Sequence, residues 1–369
     1  MHYRVVLTGG GSGGHIMPLV AVAHSLRKKL GDQVEFLYIG SEGRIEQHAM
    51  DSISAPTNFI LTGKMRRYFS LMNFVDCFKV PIGFVQAAWH LWRYMPDVVF
   101  SKGGNVAVPV VIAAWLFRIP ILTQDSDAVP GISTRILGKF ADRIAVAYPS
   151  AMSHFPSGSV ALTGNPIRFD ILTGDSEEAR KQFGLREVKP IVLVLGGSLG
   201  ALSLNKAIVA ILPKLLPQAQ VIHQTGEAHY KDTLKMAGEI GVKDGRDGYV
   251  PKAFMHIDEL KHAFAVANIV VSRAGANAIA EIAASKKPSI LIPLSSAAND
   301  EQRMNAYEIA RVGGALVLEE NNLGENILLN KISSLLKDTE LQKSMSEAVH
   351  IFYHPDAADV IADELIHLM

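Results

Sequence analysis

One cysteine, Cys77, is all that the chain carries in 369 residues. An intrachain disulfide is thereby excluded, and a reducing compartment fits. Net charge is missing as well: 36 Lys and Arg balance 36 Asp and Glu, and the pI is near 7.2. Without a basic field, nucleic acid is not an expected partner. The most hydrophobic stretches, residues 80–92 and 107–117, are interrupted or too short to span a bilayer. His2-Tyr3-Arg4 leads directly into an apolar run, so no signal peptide is expected ahead of it. A soluble or at most membrane-associated protein is expected. No His and Cys residues cluster at metal-ligand spacing. Asp125 and Asp127 have the spacing of an acidic metal pair, which is common by chance, so no tightly bound metal or other cofactor is expected.

What the chain has in quantity is apolar residues, 49% against 20% charged, the composition of a well-packed globular protein. Its length exceeds one ordinary core, so two domains are expected. The most informative stretch begins at Asn268. Ile269-Val270-Val271-Ser272 reads as a buried strand, Arg273-Ala274-Gly275-Ala276-Asn277 as a tight turn, and Ala278 onward as a helix. Such a helix start sets backbone N–H groups at the carboxyl end of a parallel strand, where open α/β sheets bind ligands and anions are favoured. Asn277 and Glu281 lie four residues apart on one helix face. A carboxylate there can accept both hydrogen bonds of a vicinal diol such as a ribose, so the stretch reads as a nucleotide site. The alternative is a Glu that merely complements the helix dipole.

The halves of the chain open alike. Residues 4–8 read as a strand, Gly9-Gly10-Gly11-Ser12-Gly13-Gly14-His15 as a glycine turn, and residues 16–30 as a helix with Pro18 in its first turn. Gly9, Gly11 and Gly14 formally match the dinucleotide fingerprint. A nicotinamide site would want an acidic residue at the end of the next strand, residues 34–39, and Glu42 lies past it. From Thr62, the basic residues Lys64, Arg66, Arg67 and Lys79 interleave with Tyr68, Phe69, Phe74 and Phe78. That mixture suits contact with anionic lipid, or an ordinary amphipathic helix. Strands are expected at 98–101 and 119–122, the first followed by Lys102-Gly103-Gly104-Asn105 and a helix at 108–117, the second by Gln124-Asp125-Ser126-Asp127. Residues 173–189 read as a hinge region with a short helix. The second half repeats the pattern: strand 191–195, glycine turn Gly196-Gly197-Ser198-Leu199-Gly200-Ala201, helix 204–216 ended by Pro213, and strand 221–223. Ile257-Asp258-Glu259 precedes a helix, strand 289–293 precedes a polar loop at 299–305, and three helices close the chain. Two doubly wound α/β domains facing across a cleft are expected, 1–164 and 165–352, with 353–369 packing back on the first.

Six pieces in this order resemble the MurG family of N-acetylglucosaminyltransferases over essentially the whole chain. They are Gly9 to His15, Lys102-Gly103-Gly104, Gly164-Asn165-Pro166-Ile167-Arg168, the turn Gly196 to Ala201, Ser272 to Glu281, and Gln302 with Asn305. The resemblance implies the GT-B fold. It also implies transfer of N-acetylglucosamine from UDP-N-acetylglucosamine to the 4-hydroxyl of the muramyl sugar of lipid I, with inversion, forming lipid II at the cytoplasmic face of the bacterial membrane. Carried over by position, Ile257 would lie beside uracil, Glu281 on the ribose, Ser198 at the diphosphate and Gln302 on the sugar. Ala276, Asn277, Ala278, Ile279 and Ala280 form the helix start of that donor site, and Arg168, Ser12, Gly13 and Gly14 would complete it across the cleft. Gly103, Gly104 and Asn105 belong to the glycine loops that would receive the acceptor's pyrophosphate. Where the family usually has His-Glu followed by Gln-Asn or Ser-Asp, this chain has Gln124-Asp125-Ser126-Asp127, so Asp127 is carried over and Gln124 is left open.

Inverting transfer needs a base on the acceptor side, and the two candidates are His15 and Asp127. An imidazole titrates near 6.5 when unperturbed, and a helix start beside it discourages the charged form. His15 is therefore the expected base, with Asp127 orienting the sugar or acceptor. Two other functions compete. One is another GT-B enzyme on a UDP-sugar, either a different glycosyltransferase or a UDP-N-acetylglucosamine 2-epimerase, and an epimerase would need no lipid acceptor and no basic, aromatic segment. A non-catalytic nucleotide-sugar sensor would have no use for His15 in a phosphate-binding loop.

Overall fold

In the computed structural model, residues 2–10, 13–63, 71–185, 188–197, 200–242, 245 and 248–369 are described. They form two units, Met1–Arg168 with His354–Met369, and Phe169–Tyr353. The break follows Arg168 and not Gly164, because Thr163 and Gly164 donate backbone N–H groups to Val146 O and Asn165 accepts from Ser126 Oγ at 2.5 Å. Those bonds keep the segment in the first unit.

The first unit alternates strand and helix: β1 (Tyr3–Thr8), α1 (Gly13–Leu30), β2 (Val34–Gly40), α2 (Arg44–Ser52), β3 (Thr57–Phe59), α3 (Leu71–Tyr94), β4 (Val98–Ser101) and α4 (Ala107–Leu116). It continues with β5 (Ile121–Asp125), α5 (Ile132–Leu137), β6 (Arg143–Val146), α6 (Pro149–Met152) and β7 (Val160–Leu162). Among the described residues, its sheet has the order β3-β2-β1-β4-β5-β6-β7, every pairing parallel. Runs such as Val5-Val6-Leu7 and Val98-Val99-Phe100 are apolar at every position because helices cover both faces. Alternation divides them between two cores. Val5, Leu7 and Phe100 pack with Leu19 and Leu26 of α1, while Val6 and Val99 pack with Leu91 of α3 and Val110 of α4.

The second unit contains α7 (Ser176–Gln182), β8 (Ile191–Leu195), α8 (Leu202–Leu215), β9 (Gln220–Gln224), α9 (Tyr230–Glu239), β10 (Tyr249–Lys252) and α10 (Ile257–Val266). Then come β11 (Ile269–Ser272), α11 (Ala276–Ala284), β12 (Ser289–Leu291), α12 (Glu301–Arg311), β13 (Ala315–Val317), α13 (Glu325–Lys337) and α14 (Thr339–His350). Its parallel sheet runs β10-β9-β8-β11-β12-β13. The last helix, α15 (Ala357–Leu368), returns to the first unit, where Ile361 and Leu365 enter the α1 core. Polar contacts fix it there: Ser25 with Asp359, Lys29 with Asp363 at 2.7 Å, and Arg143 with Glu364 at 2.7 Å.

In each unit the strand order reverses beside the first strand, between β1 and β4 and between β8 and β11. The carboxyl ends at such a reversal are where open α/β sheets bind ligands.

Several boundaries differ from the sequence expectation. Helix α1 begins at Gly13, so Gly13, Gly14 and His15 are helical rather than a turn, and Pro18 lies beyond the first turn. Pro18 cannot donate to Gly14 O, but fully buried Ile16, Leu19 and Val22 hold the helix on the sheet. Pro213 likewise fails to end α8, because Leu212 and Leu215, both 0% exposed, keep the last turn packed. Gln124 and Asp125 belong to β5, and Ile257 opens α10. The polar segment holding Gln302 and Asn305 is helix α12, entered through Asn299 and Asp300 in the left-handed region, which these two residue types tolerate.

Candidate active site

In the second unit, the turns after β8 and β11 lie side by side. Gly200 has φ +78° and a Cβ there would stand 2.4 Å from Thr225 O, so the turn after β8 needs glycine. Thr225 is itself held by Asn205, whose Nδ2 donates to Thr225 O at 2.9 Å and whose Oδ1 meets buried His223 Nε2 at 3.1 Å. Burial lowers His223 to about 3, so its imidazole is neutral. With Nε2 donating to Asn205, Nδ1 accepts from Tyr249 Oη at 3.0 Å. Gln224 ties two loops together: Nε2 donates to Gly197 O at 3.4 Å and Oε1 accepts from Met255 N at 2.9 Å. Met255 leads into half-buried Ile257 at the start of α10.

Helix α11 starts at Ala276 behind an extended Gly275, and no side chain caps it. Its first amide groups and dipole therefore face the β11 turn, the arrangement that receives an anion. Asn277 and Glu281 are half-buried on this helix, with Ala278 between them and Ile279 and Ala280 buried. Two residues of α12 brace the region. Gln302 Oε1 accepts from Leu294 N at 3.1 Å, which leaves its Nε2 as the donor group, and buried Asn305 Nδ2 donates to Ala274 O at 3.3 Å.

Beneath these loops is a buried ion pair that sequence reasoning missed. Arg273 donates to Ile292 O at 3.2 Å, to Ser203 Oγ at 2.8 Å and to the Glu320 carboxylate. Glu320 also accepts from Ser295 N at 2.9 Å and Ser295 Oγ at 2.8 Å. Burial acts to raise Glu320, but hydrogen bonds from Ser203, Ser295 and Arg273 hold it at about 2. The pair joins the turn after β11 to α8, to the loop after β12 and to the segment after β13. An arginine directly after an apolar strand signals that a partner must exist. Nothing local points to Glu320, 47 residues away.

In the first unit the turns after β1 and β4 interlock. Lys102 N donates to Thr8 O at 2.8 Å, Tyr38 Oη donates to Gly9 O at 2.5 Å, and a Cβ on Gly104, at φ +82°, would press within 3.0 Å of Gly10 O. Gly103 has φ +78°, and exposed Asn105 accepts from Ser133 Oγ of α5 at 3.0 Å. His15, the third residue of α1, is half-buried. Burial and then the charge of Lys102 lower its imidazole to about 3, so it is neutral but far less basic than a free imidazole.

The four polar residues after β5 divide by role. Gln124 is fully buried and turned inward, donating to Asp125 O and Ser126 Oγ at 3.2 Å each. Asp125 is a loop anchor whose carboxylate accepts from Asp127 N at 2.9 Å and Gly131 N at 3.3 Å. Asp127 is half-buried on that loop. Arg168 is the half-buried last residue of its segment in the first unit. Ser12 and Ser198 lie outside the described residues, as do Lys64, Arg66 and Arg67. Among the described residues no three His, Cys, Asp or Glu side chains gather as a metal-binding group.

Comparison with known proteins gives the family and the fold. The family model for the glycosyltransferase family 28 N-terminal domain matches residues 5–146, and that for the family's C-terminal domain matches 191–361. The UDP-N-acetylglucosamine–N-acetylmuramyl-(pentapeptide) pyrophosphoryl-undecaprenol N-acetylglucosamine transferase of Clostridium perfringens is 39% identical over 92% of this chain and 91% of its own. The crystal structure of Acinetobacter baumannii MurG superposes with a TM-score of 0.74 at 23% identity, covering 99% of both chains. A UDP-GlcNAc 2-epimerase from Neisseria meningitidis, bound to UDP-GlcNAc, gives 0.70 at 12% identity, covering all of both. Likeness at these identities establishes the fold, GT-B, which transferases and epimerases share.

Proposed function

The chain belongs to glycosyltransferase family 28, and from that membership we propose that it moves N-acetylglucosamine from UDP-N-acetylglucosamine to the 4-hydroxyl of the muramyl sugar of lipid I, inverting the anomeric carbon and forming lipid II. The observation that carries the reading is the 39% identity to a transferase of that name over nearly the whole chain. The acceptor hydroxyl loses its proton to a base and attacks the anomeric carbon, while the bond from that carbon to UDP breaks. The leaving diphosphate gathers charge, which the uncapped start of α11 can stabilise with fixed N–H donors. Arg168, Ser198 and the Ser12-Gly13-Gly14 segment are assigned to the same diphosphate, Ile257 to the uracil, and Gln302 Nε2 to a sugar hydroxyl. No bound metal enters this scheme. The turns carrying Gly103, Gly104 and Asn105 take the acceptor's diphosphate, and His15 is the base. Incubating the protein with UDP-N-acetylglucosamine and a short-chain lipid I analogue should release UDP and yield the disaccharide. Formation of the C2 epimer of the donor without acceptor would favour an epimerase instead.

Glu281 is assigned to the ribose diol. Replacing it by Ala removes charge-assisted hydrogen bonds worth about 1.5–3 kcal/mol each, so calorimetry should show UDP binding weakened at least tenfold. Unchanged affinity would remove Glu281 from the nucleotide site.

We further propose that the protein binds reversibly to the cytoplasmic face of the membrane. Among the described residues no helix is long and apolar enough to cross a membrane. Support comes from exposed apolar side chains on helices α3, α4 and α5: Val85, Trp89, Trp92, Trp115, Ile132 and Ile136. Exposed Arg93, Arg118, Arg135 and Lys139 accompany them. Attraction of a basic residue near an anionic leaflet is worth about 1 kcal/mol, so co-sedimentation with anionic vesicles should fall steeply with salt. Neutralising Lys64, Arg66 and Arg67 together should weaken it, and replacing Trp89 and Trp92 by Ser should weaken it at every salt concentration. If neither variant alters sedimentation, these side chains serve packing alone.

A further inference from the structure

Asn205, His223, Thr225, Thr233 and Tyr249 form a line of polar residues inside the second unit, each 0% exposed. Burying so many polar groups is unfavourable unless each is paired, and apolar side chains would fill the same space. The line leads to one place. Asn205 lies in the first turn of α8, where its backbone N–H donates to Ala201 O at 2.8 Å, so it belongs to the helix that follows the glycine turn after β8. Its side chain crosses to the end of β9, donating to Thr225 O at 2.9 Å and to Thr233 Oγ1 at 3.4 Å. Thr225 O is the atom that a Cβ on Gly200 would meet at 2.4 Å, so this carbonyl is the surface on which the turn rests. The same stretch of β9 holds the other end of the turn, where Gly196 N donates to Gln224 O at 3.2 Å. Thr225 N donates to Lys252 O at 2.9 Å, which ties this support to β10.

The polarity of the line is set from that carbonyl. A backbone oxygen can only accept, so Asn205 must turn Nδ2 toward Thr225 O, and its Oδ1 then faces His223 Nε2 at 3.1 Å. Thr233 agrees, because its hydroxyl proton is committed to His229 O at 2.7 Å and its oxygen is left to accept from Asn205. An oxygen facing Nε2 requires the ring proton there, and Nδ1 then accepts from Tyr249 Oη at 3.0 Å. We propose that His223 is a positioning residue for the UDP diphosphate: it holds the Asn205 amide in one orientation, and through Asn205 and Thr225 O it sets the turn after β8 before the nucleotide arrives. This rests on the assignment of that turn to the diphosphate. Preset geometry favours the part of the ligand that the turn receives, so losing it should weaken recognition of the diphosphate and spare that of uridine.

The test compares His223→Met with His223→Gln. Methionine fills the space and makes neither bond, whereas glutamine can donate to Asn205 with its amide nitrogen and accept from Tyr249 with its amide oxygen. Affinity for UDP is measured by calorimetry, and that for uridine by competition. His223→Met should weaken UDP binding by about tenfold or more, the worth of a buried hydrogen bond left unmade, and leave uridine binding nearly unchanged. His223→Gln should recover most of the UDP affinity. In the wild type, nitrogen NMR shifts of the His223 ring should show the Nε2–H tautomer at neutral pH. Equal fold-losses for UDP and uridine in a folded His223→Met protein would reduce the residue to support of the fold, and unchanged UDP affinity overturns the proposal outright. If His223→Met does not fold, the wild-type ring and the Gln variant decide: an Nδ1–H tautomer, or UDP and uridine weakened alike by His223→Gln, overturns it. A wild type that does not bind UDP removes the diphosphate assignment and the proposal together, while a wild type that binds UDP as tightly as His223→Met removes the proposal alone.

Discussion

Replacing His15 by Ala should lower kcat by about 10²- to 10⁴-fold, the usual worth of a positioned general base, and leave UDP affinity nearly unchanged. The residue lies at the start of α1, beside the turns assigned to the acceptor, and its imidazole is neutral because burial and Lys102 hold it at about 3. A base must be unprotonated to act. In the free enzyme, therefore, kcat/KM should stay level as pH falls through the ordinary histidine range and drop only toward about 3. In the substrate complex the negative charge of the acceptor should raise the imidazole, so the acid limb of kcat should lie at higher pH than that of kcat/KM. A pH series on both parameters checks this. If Asp127→Asn abolished turnover while His15→Ala only raised the KM for acceptor, the two roles would be exchanged.

How far the site could be read from sequence depended on how local each cause was. Residues 98–101, 191–195 and 269–272 are strands residue for residue, because each is a short apolar run closed by residues that break the pattern. Gly13, Gly14 and His15 misled, because glycines look like a turn, yet the first turn of a helix has no intrahelical N–H bonds to lose. The segment around Gln302 and Asn305 looked like a loop because its polarity belongs to a helix that spends its amide groups on neighbouring turns. Three-residue β3, β7 and β13 carry too few positions to show a period, and all three lie at sheet edges. Long-range electrostatics were the least legible part. The donor-side motif included Arg273 but gave no sign of Glu320, and the glycine turn after β4 gave no sign that Lys102 is buried within it.

The Arg273–Glu320 pair yields the largest expected effect on stability. Their side chains are 9% and 14% exposed, so removing one leaves the other's charge or hydrogen bonds uncompensated away from water. Arg273→Ala should destabilise the protein by about 3–5 kcal/mol, a large share of the roughly 5–15 kcal/mol of a typical domain, measurable as a fall in the urea midpoint. Glu320 is held at about 2 in the folded state against a usual 4.5, so its contribution is complete above 4.5 and lost as pH falls toward about 2. Without Arg273, burial is less opposed and the carboxyl rises, so the variant should lose stability at a higher pH than the wild type. UDP binding should weaken too, because Arg273 braces the turn that presents the start of α11. Replacing both residues, Arg273→Met with Glu320→Leu, should recover much of the stability, since an apolar pair of similar size removes the desolvation cost along with the attraction. It should not recover UDP binding to the same degree, because the bonds to Ile292 O, Ser203 and Ser295 that set the geometry of the loops are gone. A loss below about 1 kcal/mol for Arg273→Ala, the range of a solvent-screened surface pair, would show that the turn after β11 is held by other contacts.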